Sequence, residues 1–296
     1  MNVNFKQMGL VLEGRGMRGA FTCGVLDYLM DMGIKFPYVI GVSAGACHAL
    51  SFLSRQRGRA HFSAIDMYQK YRYIGMRYWW KQGSIIDRNL LYHRFQDELY
   101  PFDYDAYRHN PARFEIVTTN CLTGQPCYME EKRDMERFRA MLKASSSLPF
   151  VCPITYVDGI PMLDGGITDS IPLMRAVQNG YELNVVVSTR HRGFRKTEES
   201  FFLTSLIYRR YPHLRQSIQR NIPLYNKQLE LLEQMEDMGT ILLIRPSKAV
   251  DLGILEGRVS ALISLYEEGY ANAAEMLSPH LTGIEKHRML NNIIRI

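Results

Sequence analysis

Short apolar runs alternate with helical patterning through the first half of the chain. Residues 8–12 (MGLVL) are apolar at consecutive positions, the pattern of a strand buried on both faces. A glycine-rich turn, 14–19, follows. Apolar residues then recur at helical spacing over Ala20–Met32 and stop at Gly33, a C-terminal cap. Residues 38–40 predict a second strand and Ala44–Leu53 a second helix. Strand, helix, strand, helix at this pitch predicts βαβ units, a parallel sheet with helices on its faces. Further along, 114–119 and 161–163 predict strands, the second entered by an Asp158-Gly159 turn, and Met135–Ser145 predicts a helix. Residues 183–188 (LNVVVS) read as a strand buried on both faces, 224–238 as an amphipathic helix, Ile241–Ile244 as a last strand and 256–277 as a closing helix. With no repeat or linker, a single domain over 1–296 is expected.

Composition narrows the class. A chain that is 46% hydrophobic and 22% charged is globular rather than disordered. Thirty-six basic against 30 acidic residues give +6, an excess that suits anionic surfaces but is too small to indicate nucleic acid. Five cysteines, with no C-x-x-C pair and no metal-ligand spacing, are expected as buried free thiols in a reducing compartment. No window is long and apolar enough for a secretory leader or a membrane span, so a cytoplasmic location is expected.

Three motifs carry chemistry. Gly41-Val-Ser43-Ala-Gly45 lies between a predicted strand and a predicted helix, the context a nucleophile elbow requires. The glycines remove β-carbons where strand and helix approach, and the helix N-terminus favours developing negative charge. Gly14-Arg15-Gly16-Met17-Arg18-Gly19 matches a dinucleotide fingerprint, but that reading needs an acid at the end of the second strand, where Gly41-Val-Ser43 stands instead. An oxyanion hole built from the amides of Gly14, Arg15 and Gly16 is the alternative, each such donor supplying ~3 kcal/mol in a typical enzyme. Asp164-Gly165-Gly166 is a common turn, yet an aspartate beside a serine could act as its base. None of the eight histidines (48, 61, 93, 109, 191, 213, 280, 287) sits in a recognisable catalytic loop, and His48, five residues past Ser43 on the same helix, is expected to point elsewhere.

The sequence L-x-L-E-G-R-G-M-R-G, then G-V-S-A-G, then A-S-S-S-L-P-F with L-D-G-G-I-T-D-S-I-P-L, resembles the patatin-like phospholipases, the bacterial members especially. The likeness spans residues 8–190 and includes the 117–124 stretch. It implies a three-layer α/β/α sandwich with a mainly parallel central sheet, and a serine–aspartate dyad for lipid acyl hydrolysis with no metal and no cofactor. Carried over, Ser43 is the nucleophile, Asp164 the base and residues 14–19 the oxyanion loop. Arg18, Gly19, Gly41, Gly45, Gly165 and Gly166 complete the motifs. Arg15 departs from the family's usual glycine, and its side chain could meet an anionic head group. Residues 8–190 would form the catalytic core and 191–296 an extension packing on it, with no roles assigned there.

The expected substrate is a phospholipid or related acyl ester, met with peripheral contact to an anionic membrane. Two rivals remain: a catalytically weak protein that binds lipid or membrane on the same fold, and a soluble short-chain esterase or thioesterase. Trp79 and Trp80, among Arg72, Arg77 and Lys81, fit an interfacial patch, but a covering helix with one tryptophan in the core is the expectation. The basic segment 190–220 fits either a membrane-attracting surface or a solvated face.

Overall fold

The computed structural model describes residues 4–197, 204–249, 252–253, 255 and 257–281. Its centre is an eight-stranded sheet: β1 Gly9–Leu12, β2 Tyr38–Val42, β3 Arg113–Asn120, β4 Pro126–Met129, β5 Thr155–Val157, β6 Ile160–Asp164, β7 Asn184–Val187 and β8 Ile241–Ile244. The order is β5-β6-β3-β2-β1-β7-β8, with β4 also paired to β3. The strands from β3 through β8 in that order are parallel, whereas β4, β5 and β6 join antiparallel. Seven helices position the site: α1 Ala20–Met32, α2 Ala44–Leu53, α3 Met76–Gln82, α4 Met135–Ser145, α5 Leu173–Gln178, α6 Pro212–Asp237 and α7 Val259–Leu277.

Strand alternation sorts the core into two layers. Leu10 and Leu12 of β1, with Val39 and Val187, pack against α1, α2 and α7. Val11, with Ile40, Val42 and Val186, packs against Leu173 of α5 and Tyr225, Leu229 and Leu232 of α6. Both faces are therefore covered, which is why these strands read as unbroken apolar runs. Local signals set the helix ends. The Gly33 cap of α1 lies at φ 69°, and the side chain of Asp134 accepts from the amides of Glu136 and Arg137 to start α4. Asp158 and Gly159, both at positive φ, make the tight turn from β5 to β6.

Four expectations change. β4 and β5 were not foreseen, being short and only partly buried. α6 begins at Pro212 rather than 224, running through Pro223, because Leu214, Ile218 and Ile222 bury its first turns as firmly as Tyr225 and Leu229 bury the later ones. α7 begins at Val259 rather than 256, and residue 256 itself lies outside the described residues, as do 201–203 and His287. No tryptophan enters the core: Trp79 is 37% and Trp80 83% exposed. Of the five free cysteines, Cys47 and Cys127 are only half-buried. Among the described residues no helix is long and apolar enough to cross a membrane.

Candidate active site

β2 passes into α2 through one residue, Ser43, at φ 52° and ψ −122°. A side-chain-bearing residue held there stores ~1–3 kcal/mol of strain, so its surroundings must enforce it. The Ser43 amide donates to Ser145 Oγ (2.8 Å), and that hydroxyl donates to the Val117 carbonyl of β3 (2.7 Å). Close approach from the other side requires glycine. A β-carbon at Gly14 would stand 2.3 Å from the Val42 oxygen and 2.8 Å from Ser43 Cβ, and one at Gly45 would stand 2.6 Å from the Glu13 oxygen. Gly41 packs on Ala46, and Gly19 on His48.

Strand register brings Asp164 to the same place. β2 and β4 both pair with Ile116 and Val117, so they flank β3 on opposite sides. β4 and β6 both pair with Thr118 and Thr119, so β6 lies on the flank of β2. Val42 is opposite Val117 and Asp164 opposite Thr118, consecutive positions, so β6 takes the slot that β2 vacates when the chain turns away at Ser43. The turn is pinned by Thr119 Oγ1 donating to the Asp164 carbonyl (2.9 Å) and by the Asp164 amide donating to Ser147 O (2.9 Å). Asp164 Oδ1 accepts from the Gly166 amide (2.7 Å), while Oδ2 is buried with no aligned partner. Burial pushes the carboxyl up from 3.8 to about 6, against the opposing influence of the Ser43 hydroxyl, the Gly166 amide and the Arg15 charge. Ser43 is thus close enough to act on the carboxylate's charge without yet forming an aligned hydrogen bond, as is common where no substrate orders the pair. A carboxylate raised this far is a much better proton acceptor near neutrality than an ordinary aspartate.

The glycine loop borders the same space. Among the described residues, the amides of Gly14, Arg15 and Gly16 have no acceptor in the protein. The Arg15 side chain does not reach toward a head group, as the sequence had allowed. It is buried, bonded to Glu13 (3.2 Å) and stacked 3.7 Å over the Tyr225 ring. Glu13 also accepts from Tyr225 Oη (2.6 Å), Ser188 Oγ (2.9 Å) and the Thr189 amide. Burial alone would raise its pKa, but Arg15, Thr189, Tyr225 and Ser188 together hold it below the ordinary glutamate value. The Arg15 side chain is therefore an anchor that leaves its amide where a glycine's would be. Arg18 is also buried, donating to the Leu252 carbonyl (2.8 Å), with a pKa lowered to about 10 by burial and by Arg190 and Arg15.

Sequence reasoning missed two sets of positioning residues. Ser145 and Ser147 end α4 and hold the backbones of Ser43 and Asp164 respectively, and Ser146 between them contacts Cys47 (3.5 Å). The run of three serines was visible, but its partners were 102 residues away. α6 supplies the second set. Asn221 donates to the carbonyls of Gly166 (2.6 Å) and Ile167 (2.9 Å), fixing the loop after Asp164, and Tyr225 fixes the glycine loop through Glu13 and Arg15. Nothing local in the sequence marks either residue.

Two cavities meet at Ser43 and Gly16. One, of about 120 Å³, is apolar and walled by Met17, Tyr73, Ile74, Ile86, Leu91 and Phe95. The other, of about 250 Å³, is bordered by Asp164, Phe150, Lys196, Ile218 and Asn221. His48 does not point away as expected: it lines the apolar cavity, and burial lowers its pKa to about 4, keeping it neutral. Among the described residues no histidine bonds to Ser43 or Asp164, and no three His, Cys, Asp or Glu side chains are grouped to hold a metal. The basic segment is largely answered by α6: Arg192 pairs with Glu236 and Asp237, and Arg195 with Glu233.

A family model for patatin-like phospholipases matches residues 10–177, and a model for a domain of unknown function (DUF6363) matches 211–282, which includes α6. The chain is 28% identical over 196 residues to the uncharacterized protein YjjU of Escherichia coli (strain K12), covering 62% of this chain and 52% of YjjU. It thus spans about half the length of that relative. Among solved structures it is similar to VipD from Legionella pneumophila, with a TM-score of 0.51 at 12% identity, over 93% of this chain and 67% of that one. At that identity the likeness is one of fold.

Proposed function

Since the chain belongs to the patatin-like phospholipase family, we propose that it is a serine acyl hydrolase cleaving ester bonds of phospholipids or related acyl lipids through Ser43 and Asp164. Ser43 Oγ attacks the ester carbonyl as Asp164 Oδ2 takes the hydroxyl proton. The carbonyl oxygen, now an oxyanion, accepts from the amides of Gly14, Arg15 and Gly16. Collapse expels the alcohol, which leaves with the proton from Asp164. A water then gives a proton to Asp164 and attacks the acyl-enzyme, releasing the carboxylic acid and restoring Ser43. The acyl chain lies in the apolar cavity, and the leaving group in the cavity with Lys196 and Asn221. The enzyme works in the cytoplasm, peripherally at an anionic bilayer.

The observation that carries this reading is the orphaned, raised carboxylate of Asp164 beside a serine on a strained strand-to-helix turn. One observation favours a soluble short-chain esterase as the second reading: a cavity of about 120 Å³ is slightly smaller than one of ~150 Å³ that holds a benzene-sized guest. Hydrolysis of a chain-length series of soluble esters and of phospholipid vesicles separates the two. Ser43→Ala should reduce either activity by about 10⁴-fold or more with unchanged far-UV dichroism. Undiminished turnover in that variant would refute both readings.

A further inference from the structure

The chain leaves the wall of the apolar cavity at Ile74 and returns to it at Ile86. These two residues form an antiparallel bridge and both line the cavity. Hydrogen bonds from the Gly75 amide to Ile85 O (2.7 Å) and from the Asp87 amide to Tyr73 O (2.8 Å) close the base of this excursion. The Ile85 amide ties it to Val151 O (3.0 Å), on the rim of the second cavity. Between the two ends stands α3, and none of its seven residues is buried. Trp80 is 83% and Met76 61% exposed.

Charge accompanies this apolar tip. Lys70, Arg72, Arg77 and Lys81 are exposed, no acid lies between Asp66 and Asp87, and among the described residues none of the four forms an ion pair. The basic residues after β7 differ, since acids of α6 answer Arg192 and Arg195. α3 is also held in place: Arg77 donates to the carbonyls of Tyr71 and Arg72, both at 2.6 Å. A fixed, exposed pair of tryptophans ringed by unpaired cations has the chemistry of an element that sits among anionic lipid head groups.

We infer that residues 75–83 insert into the head-group layer of an anionic bilayer and set the mouth of the Ser43 cavities against it. The inference rests on the acyl-lipid reading for its purpose, but binding is measured separately from hydrolysis. Trp79 and Trp80 are the only tryptophans in the chain, so intrinsic fluorescence reports this element alone. The full chain should show a blue-shifted emission and protection from an aqueous quencher on phosphatidylglycerol vesicles, and neither on phosphatidylcholine vesicles. In co-sedimentation, Trp80→Glu should weaken binding to phosphatidylglycerol vesicles by about tenfold or more, and Lys81→Glu by about fivefold or more. Both should leave turnover of a soluble short-chain ester unchanged.

An absent blue shift, undiminished binding of Trp80→Glu, or equal insertion into phosphatidylcholine would overturn the inference. So would a shift that appears without vesicles as protein concentration rises, which would make a second copy of this chain the occupant. If vesicles shift the emission as expected but no ester is hydrolysed, the acyl-hydrolase reading fails and the insertion stands.

Discussion

The two ends of the chain contribute to the site in different currencies. Residues 9–187 carry the groups that would do chemistry: the strained Ser43, the raised Asp164 and the open amides of residues 14–16. The C-terminal helix α6 carries none, yet it touches both loops that hold those groups. Tyr225 reaches the glycine loop across 212 residues of sequence, and Asn221 reaches the loop after Asp164 across 55. The reactive parts are thus built locally, whereas their alignment is imposed from a distance. A helix in a region known only as a domain of unknown function is part of the catalytic geometry rather than a cover for the sheet.

The largest test of that division is the buried carboxylate joining the two regions. Glu13→Ala leaves Arg15 buried without its counter-charge and unties Tyr225, so stability should fall by about 3–5 kcal/mol in urea titration. A loss below ~1 kcal/mol would mean that α6 is not fastened to the glycine loop through Glu13. Asp164 should behave in the opposite sense. Its folded pKa of about 6 exceeds the ordinary 3.8, so the unfolded chain gives up its proton first. Wild-type stability should therefore be undiminished below about pH 4, decline as pH rises toward about 6, and level off above, by about 3 kcal/mol in all. Asp164→Asn lacks that loss. Its urea midpoint should gain on wild type between pH 4 and pH 8, and parallel curves would show that the carboxylate is not strained by burial.

Asn221→Ala is the smaller and sharper test. Releasing the Gly166 and Ile167 carbonyls should lower kcat about tenfold, with KM for a soluble ester little changed. An unaltered kcat would reduce α6 to packing. Ser145→Ala, which frees the Ser43 amide from within the catalytic half, provides the comparison. It should cost a similar factor, because both variants loosen a reacting residue by one hydrogen bond.

The same division governs what could be read from the sequence. α1, α2 and α4 were legible to their ends because their boundaries are written locally, by Gly33, by the Ser43 turn and by Asp134. Ser43 and Asp164 were legible as motifs, since a turn that needs glycine at fixed offsets leaves a pattern. Arg15 was misread: its side chain answers to Glu13 and Tyr225, and only folding brings Tyr225 there. Pro223 hid the first half of α6, because proline's missing N–H normally ends a helix, and here packing on both sides of it prevails. The exposure of Trp79 and Trp80 was likewise illegible, since a helix of that composition serves a core and a surface equally well.

Fluorophosphonate labelling across pH, with the modified peptide mapped by mass spectrometry, tests the dyad most directly. The account predicts one adduct, on Ser43, forming at a rate that rises with pH to half its maximum near about 6, the value at which Asp164 loses its proton. In Asp164→Asn the adduct should form slowly and without that inflection. Labelling at another residue, or a rate at Ser43 that ignores both pH and the loss of Asp164, would contradict it.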